Sequence, residues 1–420
     1  MSREMFDVAV VGAGVVGSSA ALLFARAGLR VAVVEAQAPV AWSADAPDLR
    51  VYAFAPGSAD LLDSLGVWSA VAAARVQPYR TMRVWDAAGG GEVRFDAQRL
   101  GRSELGWIVE HGLLVDRLWT ALQHGGVNLL YPHRVIGLQQ DDGDEVKLAL
   151  DDGGSVRARL VIAADGQESA VRSLCGIDAP AHDYVQRGLV AYVESERPHQ
   201  DTAWQRFLPG GPLALLPCTT ATGSDEAPGH TSSIVWTLPN GEATRLLDLD
   251  DAAFSAELTR AFDARLGRVV AVGHRAAFPL RRQLANQYLQ GRVLLAGDAA
   301  HVVHPLAGQG VNLGLRDVVA LRELLLPSDR HAASVDAANV ETARGWRDRE
   351  QRPAFAPTAQ TLARYARERK SENAVAAYAL DGINRLFSNQ DVLPTLLRGS
   401  LLGMAGRLTP LIDAFARRAS

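Results

Sequence analysis

The sequence predicts an α/β fold assembled from discontinuous segments, with a β-rich second layer and helices towards the C-terminus. Three observations predict it. The chain opens on a strand, glycine turn, helix and strand, "FDVAVVGAGVVGSSAALLFARAGLRVAVVEA". Its middle, from about residue 180 to 280, alternates apolar strands with turn residues. A second glycine-rich turn, "GDAAHVVHPLAGQGVNLGLRD" at 297–317, follows another apolar strand and opens a helix.

In the opening unit, apolar Val8 to Val11 form one strand, an Ala/Leu-rich helix runs up to Gly28, and Val31 to Val34 form the next strand. This is a βαβ unit of the Rossmann-like kind. Gly12 permits the sharp turn, Gly14 lets a diphosphate approach the backbone at the helix N-terminus, and Gly17 lets helix and strand pack closely. Glu35 closes the second strand, where a carboxylate accepts both hydrogen bonds of a ribose diol. Strand, spacing and acid together specify an adenosine-diphosphate site. They do not separate a flavin from a nicotinamide dinucleotide.

After Glu35 comes an irregular Ala/Pro-rich stretch carrying Arg50, then "DLRVYAFAPGSADLLDSLGVWSAVAA", in which Leu61, Leu62 and Leu65 are spaced as one buried helix face. Residues 126–165 read as a meander of short apolar strands broken by Asp-Gly turns, ending at Asp165 and Gly166. Trp204, Phe207, "LPGGPLALLP" and "SSIVWTL" then form a separate β-rich layer, followed by a Leu-rich helix near 251–266. Residues 218–230 carry the strongest loop signal. "VLLA" in "GRVLLAGDAA" is a buried strand feeding the second turn, and beyond residue 318 the sequence is mostly helical, without a repeat. No linker cuts the chain. The expected partition is a first domain from 1–75, 105–180 and 281–330, a β-rich domain from 76–104 and 181–280, and a helical region from 331–420.

Hydrophobic residues at 48% and charged residues at 21% are ordinary for a globular chain and exclude disorder as its main character. A net charge of −4 carries no electrostatic footprint of nucleic-acid binding, which points to small or apolar partners. Cys175 and Cys218, with no CxxC and no Cys/His cluster, suggest neither a disulfide framework nor a zinc site, as in a reducing compartment. Arg3, Glu4 and Asp7 beside the first apolar run read as a strand rather than a signal peptide. No run reaches the ~18 apolar residues of a spanning helix. The expectation is a cytoplasmic protein, at most peripheral to the inner membrane.

Three stretches, "GAGVVG…E", "DGQESAVR" at 165–172 and "GDAAHVVHPLAGQGVNLGLRD", stand in the order and at the separations that resemble the flavoprotein aromatic hydroxylases of the para-hydroxybenzoate hydroxylase type. The His304-Pro305 pair before "LAGQG", together with "DLR…LLDSLGVW", "LGWIVEH" and "DGINRLFS", resembles the ubiquinone-biosynthesis hydroxylase branch. The resemblance covers nearly the whole chain. It implies one FAD lying across both glycine turns, its diphosphate at Gly12, Gly14 and Gly17 and its ribose on Glu35. Gly297 and Asp298 would take the ribityl chain, and the loop through Gly308, Gln309, Gly310 and Asn312 would present backbone N–H groups to the flavin. A helix N-terminus there favours the anionic reduced flavin. The implied reaction is hydroxylation of an electron-rich, prenylated aromatic ring with NAD(P)H and O2 as co-substrates. The cofactor carries the difficult chemistry, and the β-rich layer orients the ring and excludes water.

The resemblance also assigns Arg50 a place near the flavin. Its bland alternative is a surface arginine pairing with Asp48 or Asp45. Asp165 and Gly166 take part in cofactor contact under the resemblance, and Asp165 is equally a cap for a helix starting at Ser169. Arg172 contacts the cofactor or pairs with a carboxylate. Pro305 lies close to the substrate in the family. His304 is read either as a proton relay, since imidazole titrates in the right range, or as packing for its loop. His301 and His304, with no third ligand, do not make a zinc site.

From 391 onward, leucines at helical spacing with Arg398, Arg407, Arg417 and Arg418 off the stripe form a basic amphipathic end. It packs on the protein itself or touches lipid or a biosynthetic partner. Rival readings are the same chemistry on a soluble aromatic or polyketide, a nicotinamide dehydrogenase using the first turn alone, and a non-catalytic flavin-binding subunit.

Overall fold

The computed structural model describes residues 5–87, 91–140, 145–219, 229–304, 309–326, 355 and 357–387. The chain begins with β1 (Met5–Val11), α1 (Val15–Arg26) and β2 (Val31–Val34), then β3 (Val51–Phe54), α2 (Pro56–Ser64) and α3 (Trp68–Ala74). Next come β4 (Gln77–Tyr79), the hairpin β5 (Thr81–Asp86) and β6 (Glu92–Asp96), β7 (Gly106–Glu110) and α4 (His111–His124). A run of β8 (Asn128–Leu130), β9 (Val135–Gln140), β10 (Val146–Leu150) and β11 (Ser155–Ala163) leads to α5 (Ala170–Leu174). The β-rich stretch holds β12 (Ala181–Ser195), β13 (Thr202–Leu208), β14 (Gly211–Pro217), β15 (Thr231–Pro239), α6 (Asn240–Leu247), α7 (Asp251–Ala261), β16 (Val269–Val272) and β17 (Ala276–Leu284). The chain returns through β18 (Leu289–Gln290), β19 (Val293–Leu295), β20 (His301–Val302), α8 (Gln309–Leu325) and α9 (Ala359–Phe387).

Three sheets result. The first runs β18-β19-β11-β1-β2-β8, with β10 and β9 added antiparallel to the first half of β11. Its five strands β19, β11, β1, β2 and β8 are parallel, so their carboxyl ends open at one edge. The second runs β20-β17-β12-β15-β14-β13-β5-β6, with β16 beside β12. A small third sheet, β3-β7-β4, accompanies them.

Buried parallel strands need apolar residues on both faces. β1 shows why "VAVV" is continuous: Val8 and Val10 join the core with α1, α2, α4 and α8, whereas Ala9 and Val11 join the core beneath β9, β10 and α5. The expected Leu61, Leu62 and Leu65 face is buried in the first of these cores. One expected boundary moves. β17 runs through residue 280 to Leu284, and β20 pairs with it, so 281–284 and 301–302 belong to the second sheet rather than to the Rossmann-like one. Strand pairing continues across that point because Gln283 and Leu284 meet Val302 and His301. Residues 220–228 of the expected loop lie outside the described residues, as do those from 388 onward, including the basic amphipathic end.

Candidate active site

Three turns meet at the carboxyl ends of adjacent strands. The Gly12 turn leaves β1, the Asp165-Gly166 turn leaves β11, and the Gly297-Asp298 turn leaves β19. At about 4.8 Å per strand, the first and last are about 10 Å apart. Each glycine has its own reason. Gly12 has a φ of +96°, and a side chain there would lie 2.4 Å from the Ala164 carbonyl oxygen. A side chain on Gly17 would lie 1.9 Å from the Gly12 carbonyl oxygen, so Gly17 admits the turn itself against the helix. Gly14, Gly166 and Gly310 are different: a side chain on any of them would meet nothing within 4 Å. These three border open space, as a bound group requires.

Val16 joins the two glycine-rich motifs. Side chains at Gly297 and Gly314 would approach its methyls to 3.1 and 2.5 Å, so only glycines allow α8 and the second turn to close on α1. Glu35 braces the first turn, accepting the Ala13 N–H at 2.6 Å and the Gln37 N–H at 3.1 Å. The N-terminus of α1 has no side-chain cap, which leaves its first amides available to an anion.

The family described as FAD binding domain matches residues 5–337. The chain belongs to that family. It is 40% identical over 328 residues to 3-demethoxyubiquinol 3-hydroxylase of Escherichia coli (strain K12), covering 78% of this chain and 81% of that protein. It is 38% identical over 420 residues to ubiquinone hydroxylase UbiL of Rhodospirillum rubrum, covering 99% and 90%. Its fold matches that of p-nitrophenol 4-monooxygenase PnpA from Pseudomonas putida DLL-E4, with a TM-score of 0.71 at 19% identity, over 99% of this chain and 98% of that one. The protein is a flavoprotein monooxygenase, and FAD is its cofactor.

The residues present fit that cofactor, with open glycines, an uncapped helix N-terminus and a carboxylate at the strand end. Asp298 is exposed in the 3-10 turn Gly297–Ala299 and lies in electrostatic reach of Tyr52. Gln309, Gly310 and Asn312 belong to the first turn of α8 rather than to a loop. Asn312 is buried and committed: it accepts the Ala55 N–H at 2.9 Å and the Ser58 hydroxyl at 2.8 Å, and donates to the Ala53 carbonyl at 2.8 Å. Its side chain therefore bolts α8 to the end of β3. Gly308 and Pro305 lie outside the described residues.

Asp165 caps α5, accepting the Ser169 hydroxyl at 2.5 Å and the Val171 N–H at 3.1 Å. Among the described residues Arg172 pairs with no carboxylate; it donates to the carbonyls of Ala299 at 2.9 Å and Gln167 at 2.8 Å, tying the second turn to the third. Arg50 makes no ion pair with Asp45 or Asp48 among the described residues, although its own N–H donates to Asp48 at 2.9 Å. Its guanidinium lies 5.4 Å from the centroid of the Tyr52 ring. Tyr52 in turn meets His111 Nδ1 at 2.9 Å. Burial pushes the Tyr52 phenol up to about 12, and burial, with the Arg50 charge adding, brings His111 down to about 4.

His304 is buried, its pKa brought down to about 4 by burial, and neither ring nitrogen has a hydrogen-bond partner among the described residues. Its ring stands edge-on to Tyr184 at 4.9 Å. That is packing geometry. His301 is held by Asp317 at 2.7 Å.

Asp317 is a residue that motif reading passed over. Fully buried, it accepts the Gly297 N–H at 2.9 Å, bonds His301, and accepts from Arg369 at 2.8 Å and Asn373 at 3.1 Å. Burial acts to raise its pKa, but the charges and hydrogen bonds of His301 and Arg369 outweigh burial and hold it below the usual carboxylate range. It fixes the Gly297-Asp298 turn from behind. Its signal lay in the quoted stretch itself, a charged residue on the otherwise apolar stripe of α8 with Val311, Leu315, Val318 and Leu321.

Proposed function

We propose that this monooxygenase uses NAD(P)H and dioxygen to hydroxylate the ring of a polyprenylated phenol or benzoquinol intermediate of ubiquinone. The observation that carries the reading is the convergence of three turns on one strand-end cleft, beside an apolar wall between the small sheet and the long one. In this reading Gly12, Gly14 and Gly17 receive the diphosphate and Glu35 the ribose. Gly297 and Asp298 take the ribityl chain, with Arg172, Asp165 and Gly166 holding the middle of the cleft. The first turn of α8, with Gly308 ahead of it, faces the ring system, and Arg50 and Pro305 flank it.

When bound, FAD supplies hydride acceptance and oxygen activation. The chain's task is to place the phenol and keep water out. Val51, Ala53 and Ile108 from the small sheet pack with Ala203 and Leu216 from the long one and with Cys218 just beyond β14. The names of the two relatives above support a ubiquinone precursor over a soluble aromatic. A prenylated substrate resides in a membrane, so the protein works at a membrane surface or with a lipid-holding partner. No helix among the described residues is long and apolar enough to cross one.

The test is the visible spectrum of the purified protein, followed anaerobically on adding NAD(P)H with and without a short-tailed prenylphenol. Flavin bands that bleach faster with the phenol, with hydroxylated product after air is admitted, support the proposal. A yellow protein indifferent to the phenol overturns the substrate assignment.

A further inference from the structure

Next to the apolar wall lies a crevice of about 20 Å³, bordered by Pro47, Val51, Arg75, Ile108, Glu110 and Tyr192 among others. That is room for one water, or for one oxygen substituent of a ring, since a water needs roughly 10–15 Å³ on this measure. Two of its walls are charged and nearly buried, the Arg75 side chain 12% and the Glu110 side chain 7% exposed.

Their hydrogen bonds are unequal. Glu110 is fully engaged: one oxygen accepts Arg75 Nε at 2.6 Å, and the other accepts the Trp42 indole N–H at 3.1 Å and the Asp48 N–H at 2.9 Å. Arg75 donates through Nη1 to the Ala44 carbonyl at 2.8 Å, but its Nη2 is buried without an acceptor among the described residues. A buried donor left unmade in an otherwise satisfied cluster calls for a partner that no described residue supplies. Of the charged groups packed around the pair, the Asp48 carboxylate is held by the Arg50 and Gly112 N–H groups, and Asp201 accepts from Gln77, which also borders the crevice. Burial pushes the Cys218 thiol up to about 12 and the Tyr192 phenol well above its ordinary value, and the Tyr192 hydroxyl donates to the Asp48 carbonyl at 3.0 Å. Trp42 covers the Arg75 guanidinium at 5.1 Å, and the Arg117 charge on that indole is paired with Asp116.

We propose that the Arg75–Glu110 pair is a specificity device of the substrate pocket: Arg75 Nη2 donates to an uncharged ring oxygen, phenol, quinol or methoxy, and Glu110 cancels the charge that would otherwise attract a carboxylate. The inference rests on the monooxygenase reading above. With Glu110 in place a carboxylate brings an unpaired negative charge into a buried site, which is unfavourable. A neutral oxygen satisfies the spare donor without that penalty.

The experiment uses the FAD-loaded full-length protein, titrated with a short-tailed prenylphenol and with the matching 4-hydroxybenzoate while flavin absorbance is followed. The phenol is expected to bind more than about tenfold more tightly. Glu110→Gln, which removes the negative half, should shift the preference towards the benzoate by about tenfold or more. Arg75→Lys, which keeps the charge but gives up the spare fork donor, should weaken the phenol and leave the wild-type preference for phenol in place. Equal binding of the two ligands by the wild type overturns the charge argument even if Glu110→Gln does not fold. An unchanged preference in a folded Glu110→Gln does the same. If NAD(P)H bleaches the flavin yet neither ligand perturbs it, the substrate reading itself fails and this inference with it.

Discussion

Asp317→Asn tests whether the second glycine turn is held from within the protein. The side chains of Asp317 and Arg369 are 0% and 5% exposed, so the substitution leaves a buried guanidinium with only the exposed Glu372 as counter-charge. Breaking one side of such a pair costs about 3–5 kcal/mol. With an unfolding entropy of about 2.1 cal/mol/K per residue, a chain of this length should melt roughly 3–6 °C lower. FAD affinity should fall as well. An asparagine offers one acceptor where Asp317 offers two, so either Gly297 and His301 or Arg369 and Asn373 face an amide N–H2. Losing the Gly297 bond at about 1.4 kcal/mol weakens FAD about tenfold. Thermal melts of the apo and loaded protein, with FAD titration by fluorescence quenching, read both effects. Adding Arg369→Met should recover part of the melting temperature, because the buried charge goes with it. The acid limb supplies a further check: the Asp317 pKa is depressed in the fold, so its stabilisation is present above the unfolded value of 3.8 and lost as pH falls through the lower folded value. A variant within one degree of wild type and unchanged in FAD affinity would refute the assignment.

Other substitutions separate folding from binding. Gly14→Ala points into open space and should leave the apo melting temperature nearly unchanged while weakening FAD by about tenfold or more. Gly17→Ala, 1.9 Å from a carbonyl oxygen, should not accumulate as soluble protein, and comparable yields of the two would contradict the geometry. Asn312→Ala removes the hydrogen bonds to Ala53, Ala55 and Ser58 at a buried position and should cost about 2–4 kcal/mol in urea unfolding; a loss below about 1 kcal/mol would show that α8 is held to β3 by packing alone. His111 and His304 stand at about 4 in the fold against 6.5 for the free side chain. Their neutral forms are favoured by the fold, so the associated stability is complete above pH 6.5 and declines as pH falls towards 4. Each should account for about 2 kcal/mol of loss at pH 5, and urea midpoints of a His111→Gln/His304→Gln variant should be flatter over that range.

How far the site could be read from sequence depended on whether a residue acts through its backbone or through a distant partner. Gly12, Gly14 and Gly17 were legible because their duty is local: a turn between a strand and a helix of the same βαβ unit, with Glu35 at the next strand end. The Asp165 cap was legible for the same reason, its partners Ser169 and Val171 being four and six residues away. Asn312 was legible as a motif member but not in its role, because its three partners at Ala53, Ala55 and Ser58 are more than 250 residues back along the chain. Arg172 illustrates the same limit. A cation invites a search for a carboxylate, yet here it ends on carbonyls of two separate turns.

The sequence beyond residue 318 reads as mostly helical, and α9 adds a role that periodicity does not carry. Arg369 and Asn373, one turn apart on α9, reach Asp317, and Tyr365 one turn earlier donates to the Leu295 carbonyl at 3.2 Å at the end of β19. Residues 365, 369 and 373 make one helical stripe at spacing four. A polar stripe on a helix reads as a solvated face until its partner is known. Here it faces a buried carboxylate, and through that carboxylate α9 sets the position of the turn on which Asp298 stands. Substitutions along this stripe should therefore alter FAD affinity without touching the cleft, whereas exposed Val375 on the same helix should tolerate polar replacement without loss of cofactor.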